Sequence, residues 1–288
     1  MSSIPRQLAT FAAVLAVLYT GGFIAGQFID TGSHAEAGGS GHGGGPAETH
    51  SGEHGAKRAD PVRGLAVAEG GVRMVLETPE LARDRGGRLS FRIVDPAGRA
   101  VRDFEVEHEK RMHLIVVRRD LSGFQHLHPA MDADGTWSTR VRLSEAGTYR
   151  VLADFTRGGA AATLGSDLRV DGDAALEPLP EPESAATTDG GYEVRLDAGA
   201  ASAGREGELK FTIARGGETI RTEPYLGAGG HLVALREGDL AFLHVHPSGH
   251  DDTVAFAATF PTEGRYRLFL QFKHEGRVHT AAFTQPVS

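Results

Sequence analysis

Two stretches of this chain carry the same histidine pattern: His113 followed by Phe124-x-His126-x-His128-Pro129, and His231 followed by Phe242-x-His244-x-His246-Pro247. A neutral imidazole offers a lone pair to a transition metal near pH 7. Three converging imidazoles suit Zn(II) or copper, with a position left for water or another ligand. Residues two apart on a strand share a face, so Phe124, His126 and His128 point one way, as do Phe242, His244 and His246. A four-residue hairpin connection at Arg236, Glu237, Gly238 and Asp239 pairs Leu235 with Leu240, Val233 with Phe242 and His231 with His244, leaving His246 diagonal. The same arithmetic pairs His113 with His126. Two metal sites are therefore expected, His113/His126/His128 and His231/His244/His246, for copper or zinc. A slip of one residue would carry His113 to the opposite face. The competing reading of the same residues is a hydrogen-bonded structural network, because buried imidazoles need partners.

The elements that position these histidines read as short strands between Gly, Asp and Pro turns: RLSFRIV, HLIVV, WSTRVRL and YRVLADF, then ELKFTI, HLVAL, VAFAATF and YRLFLQF. No stretch of either set sustains a helical period. The two sets are copies. Beyond the histidines, Leu114 answers Leu232, Arg118 answers Arg236, Phe124 answers Phe242 and Pro129 answers Pro247, with Leu89-x-Phe91-x-Ile93 upstream answering Leu209-x-Phe211-x-Ile213. Downstream, Gly147-x-Tyr149-Arg150 answers Gly264-x-Tyr266-Arg267. A Tyr there is the mark of the tyrosine corner of immunoglobulin-like sandwiches, with Val151 and Leu268 at the place where antibody domains have a Cys. The expected fold is all-β: two tandem Ig-like β-sandwich domains after one N-terminal transmembrane helix and a disordered Gly/His-rich tether.

Composition narrows the function. There are 30 Lys+Arg against 38 Asp+Glu, a net charge of −8, and no basic stripe with interleaved aromatics, so no nucleic-acid partner is expected. The absence of Cys excludes disulfides, thiolate metal sites and blue-copper ligation. Phe11 to Ile29 is an uncharged run after Arg6; as a helix it spans about 28 Å, the thickness of a bilayer core. It reads as an uncleaved anchor or, alternatively, a signal peptide; either places the bulk of the chain outside the cytoplasm. The expected divisions are 1–30 (anchor), 31–61 (tether, with His34, His42, His50 and His54), 62–171 (first sandwich), 172–189 (a Pro/Glu linker) and 190–288 (second sandwich). Met112 and Met131 flank the first cluster and would favour Cu(I) if turned inward. His250, Asp251 and Asp252 could add hard ligands to the second. His108, His274 and His279 read as surface residues and Trp137 as core. No catalytic motif appears, so no enzyme is expected.

The segments MHLIVVRRDLSGFQHLHP and GGHLVALREGDLAFLHVHP, with GTYRVLADF and GRYRLFLQF, resemble a group of actinobacterial membrane-anchored or secreted proteins related to YtkA-like and CopC-like extracytoplasmic β-sandwich domains. The resemblance covers roughly 62–288 and implies handling of heavy metal or copper, which makes copper the first expectation and zinc the second. It departs from CopC-like sites in one respect: an uncleaved anchor has no mature N-terminal amine to offer as a ligand. The resulting expectation is a plasma-membrane-tethered, extracytoplasmic metal-binding protein that buffers copper or zinc or delivers it, a membrane transporter being the expected partner. The alternative is a non-catalytic adhesion or scaffold module whose histidines are structural.

Overall fold

A computed structural model describes residues 62–243, 245–249 and 254–288. The apolar run and the tether lie outside these residues, and among the described residues no helix is long and apolar enough to cross a membrane. Each repeat is a β-sandwich. In the first, one sheet runs in the order Ala68–Glu69, Val72–Leu76, Gly87–Val94, Thr136–Val141, Ala130–Met131. The facing sheet runs Glu80–Leu81, Ala160–Val170, Gly147–Arg157, His113–Arg118, Gln125–Leu127. The second repeat repeats the plan, with Phe242–Leu243, His231–Arg236, Gly264–His274 and Arg277–Val287 forming the sheet that carries its histidine pattern. Period-two alternation explains the cores: Leu89, Phe91 and Ile93 of Gly87–Val94 are completely buried among the first sandwich's apolar residues, where Trp137 also lies. Both tyrosine corners form: Tyr149 Oη donates to Glu145 O at 3.0 Å and Tyr266 Oη to Thr262 O at 3.0 Å. The shared arginines brace the same corner. Arg118 is buried against Asp120 (3.0 Å) and donates to Ala146 O (3.0 Å), while Arg236 pairs with Asp239 and donates to Thr262 Oγ1 (2.6 Å). The architecture is thus all-β, two Ig-like sandwiches in tandem.

A third core lies between the repeats. His113–Arg118 is buried at every position, which one sandwich cannot achieve because it covers one face of a sheet. Leu114 and Val116 point into the first sandwich, while Ile115 and Val117 meet Val233, Leu235, Leu240, Phe242 and Phe269 of the second. The linker contributes Leu179 to this third core. Phe124, the aromatic of the first histidine pattern, stacks on Phe269 with ring centres 4.0 Å apart and planes 5° from parallel. Phe269→Ala is expected to lower stability by about 3 kcal/mol, the usual cost of deleting a buried Phe, read as a lower urea midpoint.

The hairpins differ from the expected register. The observed pairs are Leu235 with Phe242 and Ala234 with Leu243, and Ile115 with His126 and Leu114 with Leu127. Both hairpins are therefore displaced by two residues. The second closes with Arg236 N–H donating to Ala241 O at 3.0 Å, so its loop is Glu237 to Leu240 and Leu240 is a loop residue. Leu240 and its counterpart Leu121 sit at φ 60° and 65°, yet both are buried in the core between the repeats. Burying a leucine is worth about 1.5–3 kcal/mol, against roughly 1–2 kcal/mol for a left-handed non-glycine backbone, and burial wins. A displacement of two preserves the faces, so His113, His126 and His128 stay on one side, as a displacement of one would not.

The segment entering the first repeat straps the two together. Phe242 N–H donates to Arg63 O (2.9 Å), while Gly64 N–H donates to Thr163 O (3.0 Å) and Gly165 N–H to Ala66 O (2.8 Å). A Cβ on Gly165 would lie 2.3 Å from Gly64 O and 2.5 Å from the Arg150 guanidinium. Gly165→Ala must therefore displace the strap, and a destabilisation of about 1–3 kcal/mol is expected in thermal melts.

Candidate metal centre

His113 opens its strand on the face turned toward the second repeat, and the register sets His128 level with it and His126 one step along. One ring nitrogen from each of His113, His126 and His128 lies within 4.8 Å of the others. Ring centres are 5.2 Å apart for His113–His126, 5.0 Å for His113–His128 and 4.8 Å for His126–His128. The surrounding hydrogen bonds select tautomers. Gln271 Oε1, from the second repeat, accepts from His126 Nδ1–H at 2.7 Å, which leaves a lone pair on His126 Nε2. Glu107 O accepts from His113 Nε2–H at 3.1 Å, which leaves a lone pair on His113 Nδ1. His113 Nδ1 and His126 Nε2 face each other at 3.0 Å, as two lone pairs when both rings are neutral. Such a contact is repulsive unless a cation or a further proton lies between them. His128 Nε2 is buried with no hydrogen-bond partner among the described residues. The three imidazoles, two of them held by hydrogen bonds on their outer nitrogens, form a group that could hold a metal ion.

The electrostatics keep His126, His128 and His231 neutral. Burial, then the neighbouring imidazoles, push His126 down to about 3 and His128 down to about 4. His231 is held well below its ordinary value, by burial first and then by His126 and His113. Neutral rings retain their lone pairs for a metal at pH 7. Asp154 pairs with His113 across the sheet and accepts from Thr163 Oγ1 at 2.6 Å. Burial pushes its carboxyl up against the opposing pull of that hydrogen bond and of His113.

The residues of the second pattern are placed differently. His231 joins the first cluster, its ring centre 4.7 Å from that of His126 and 5.5 Å from that of His113. His246 lies on the short strand that pairs with Val254–Thr259 in the other sheet of its sandwich. With Arg63, His108, His113 and Asp154 it walls a cavity of about 310 Å³ beside the cluster. His244, His250, Asp251 and Asp252 lie outside the described residues. Met112 follows strand alternation away from His113 into the first sandwich's core, and Met131 packs against the same core, although both border a cleft beside His128. His274 and His279 flank Tyr192 instead, His274 Nδ1 lying 2.8 Å from its hydroxyl.

Sequence reasoning missed three residues. His108, read as surface, is half-buried with its ring 6.1 Å from His113 and 5.9 Å from His231. Gln271 and Asp154 occupy equivalent places, opposite His231 and His113 respectively. Their signal was present: each is a polar residue five positions after the corner tyrosine, following the apolar runs LFL of YRLFLQF and VLA of YRVLADF.

The profile of a protein family described as a domain of unknown function (DUF8832) matches residues 66–172 and again 186–288. The chain belongs to this family. It carries the DUF8832 domain twice, in agreement with the internal duplication. No curated protein matches the chain significantly. Solved structures similar to it include the Escherichia coli adhesin FdeC, at 14% identity over 77% of this chain and 66% of that one, with a TM-score of 0.27. They also include a chimeric titin Z1Z2 tandem (16% identity, 75% and 99% covered, TM-score 0.21) and domains 4 and 5 of the surface-layer protein SbsC (12%, 77% and 98%, 0.23). The DUF8832 chain thus spans slightly less than two thirds of the adhesin chain.

Proposed function

We propose that this DUF8832 protein binds a transition-metal ion, Cu(II) or Zn(II), through His113, His126 and His128. The observation that carries this reading is the convergence of one ring nitrogen each from His113, His126 and His128 within 4.8 Å of one another, with His113 Nδ1 and His126 Nε2 3.0 Å apart. An all-imidazole set suits both ions, and the core position of Met112 and Met131 removes the thioether argument for Cu(I). Its role is reversible binding, buffering or handing over the ion, and not turnover. The run from Phe11 to Ile29 supports placing that role at the outer face of a plasma membrane, beside a metal transporter, in keeping with the YtkA-like and CopC-like resemblance. Calorimetric titration of residues 60–288 with each ion tests the reading: tight, saturable binding is expected, and micromolar protein that ignores both ions would overturn it.

One observation favours a second reading. The His126–Gln271 bond and the Phe124–Phe269 stack join the repeats without any ion. A proton shared between His113 and His126, beside Asp154, would also remove the lone-pair repulsion, and the histidines would then be the polar part of a docking surface in an adhesion or scaffold module. In that case histidine substitutions lower the melting temperature equally with and without chelator.

A further inference from the structure

We propose that His231 is the fourth ligand of the same ion, so that the centre is shared by the two repeats and holds one ion per chain. This rests on the trio's reading as a metal site and extends it across the interface. His231 occupies in the second repeat the place of His113 in the first, and the third core brings the two strands face to face, Ile115 and Val117 against Val233 and Leu235. The two copies of the pattern thus meet at their starting histidines.

Imidazoles bound tetrahedrally to one ion, with metal–nitrogen bonds of about 2.0–2.1 Å, have ring centres roughly 5 Å apart. Of the six pairs in the quartet of His113, His126, His128 and His231, five have ring centres 5.2, 5.0, 4.8, 5.5 and 4.7 Å apart; His128 and His231 make no ring contact, so ligation brings the His231 ring toward His128. The trio alone leaves one tetrahedral position, and His231 is the imidazole packed beside it. Its ring is enclosed by His108, His113 and His126. Neither of its ring nitrogens has a hydrogen-bond partner among the described residues, so no polar contact there holds the ring in its present orientation. The ring lies 9° from the plane of His113, and a turn about its own side-chain torsions directs a nitrogen toward the trio. A ligand set drawn from both repeats makes metal binding and repeat docking two aspects of one equilibrium, since an ion that binds the docked form alone stabilises it by mass action.

The test uses the full chain with His34→Ala, His42→Ala, His50→Ala and His54→Ala, so that the tether holds no competing imidazole. Co(II) and Zn(II) titrations and Cu(II) EPR are compared for this reference chain, His128→Ala, His231→Ala and the near-isosteric His231→Gln. One ion per chain is expected in the reference. Both His231 variants are expected to lose roughly 100-fold or more in affinity, to change the Co(II) visible spectrum and to reduce the nitrogen count in the Cu(II) signal by one. A reference chain that binds no ion overturns the trio's reading and this inference with it. A reference that binds, with His128→Ala weakened but His231→Gln unchanged in affinity and spectrum, leaves the trio standing and overturns the shared centre. Melting temperatures in chelator identify a variant that fails to fold, and the EPR nitrogen count separates ligation from a merely structural role.

Discussion

A His126→Ala chain titrated with Zn(II) is expected to bind at least ~100-fold more weakly than the unaltered protein, the largest single effect the site should show. His126 is the central ring of the cluster: it faces His113 Nδ1 on one side and Gln271 on the other. Gln271→Leu keeps every imidazole and removes the acceptor that holds the His126 proton on Nδ1. The ring can then present the wrong nitrogen, and an intermediate loss of about 10- to 100-fold is expected. The ordering matters as much as the sizes, because Gln271 belongs to the second repeat and His126 to the first. Equal affinity in all three chains, measured by competition with a chromophoric chelator, would exclude His126 from coordination.

The second large effect is acid sensitivity in the metal-free protein. His126 stands at about 3 in the folded chain against an ordinary 6.5, so the unfolded chain takes up a proton that the folded one refuses. Stability is therefore unaffected above pH 6.5 and falls as pH drops toward the folded value. At pH 5.0 His126 alone accounts for a loss of about 2 kcal/mol. His231 and His128 act in the same direction, His128 less strongly because it is partly solvated. Asp154 acts in the opposite sense, since its carboxyl is raised, and offsets part of the loss. Urea midpoints in chelator are expected to fall between pH 7.5 and 5.0, and His126→Leu to make that fall shallower. A midpoint constant over this range in the unaltered chain would show that these rings are not held neutral by the fold.

How much of this was legible beforehand depended on the range of the interaction. Strand alternation and the corner tyrosines are local, and they were enough to predict two Ig-like sandwiches and the shared face of His126 and His128; in the second copy the strand breaks after Leu243 and His246 joins the other sheet. The hairpin register was not, because it turns on Leu121 and Leu240 adopting left-handed backbone to reach a core built by the other repeat. No local turn rule places a leucine there.

The same limit applied to the site. Spacing within one copy brought His113, His126 and His128 together and led to two separate trios being expected. The tertiary structure instead turns the two histidine-bearing sheets toward each other and sets His231 beside the first trio, with His108 and Gln271 around it. A hint lay in HLIVV, an unbroken apolar run that one sandwich cannot bury on both faces.

The sequence by itself determined the fold of each repeat, the duplication and the chemistry on offer, because these follow from periodicity and residue type along the chain. Only the tertiary structure decided which histidines share a site. That choice is made by apolar burial between two repeats, and nothing in the order of residues within either one records it.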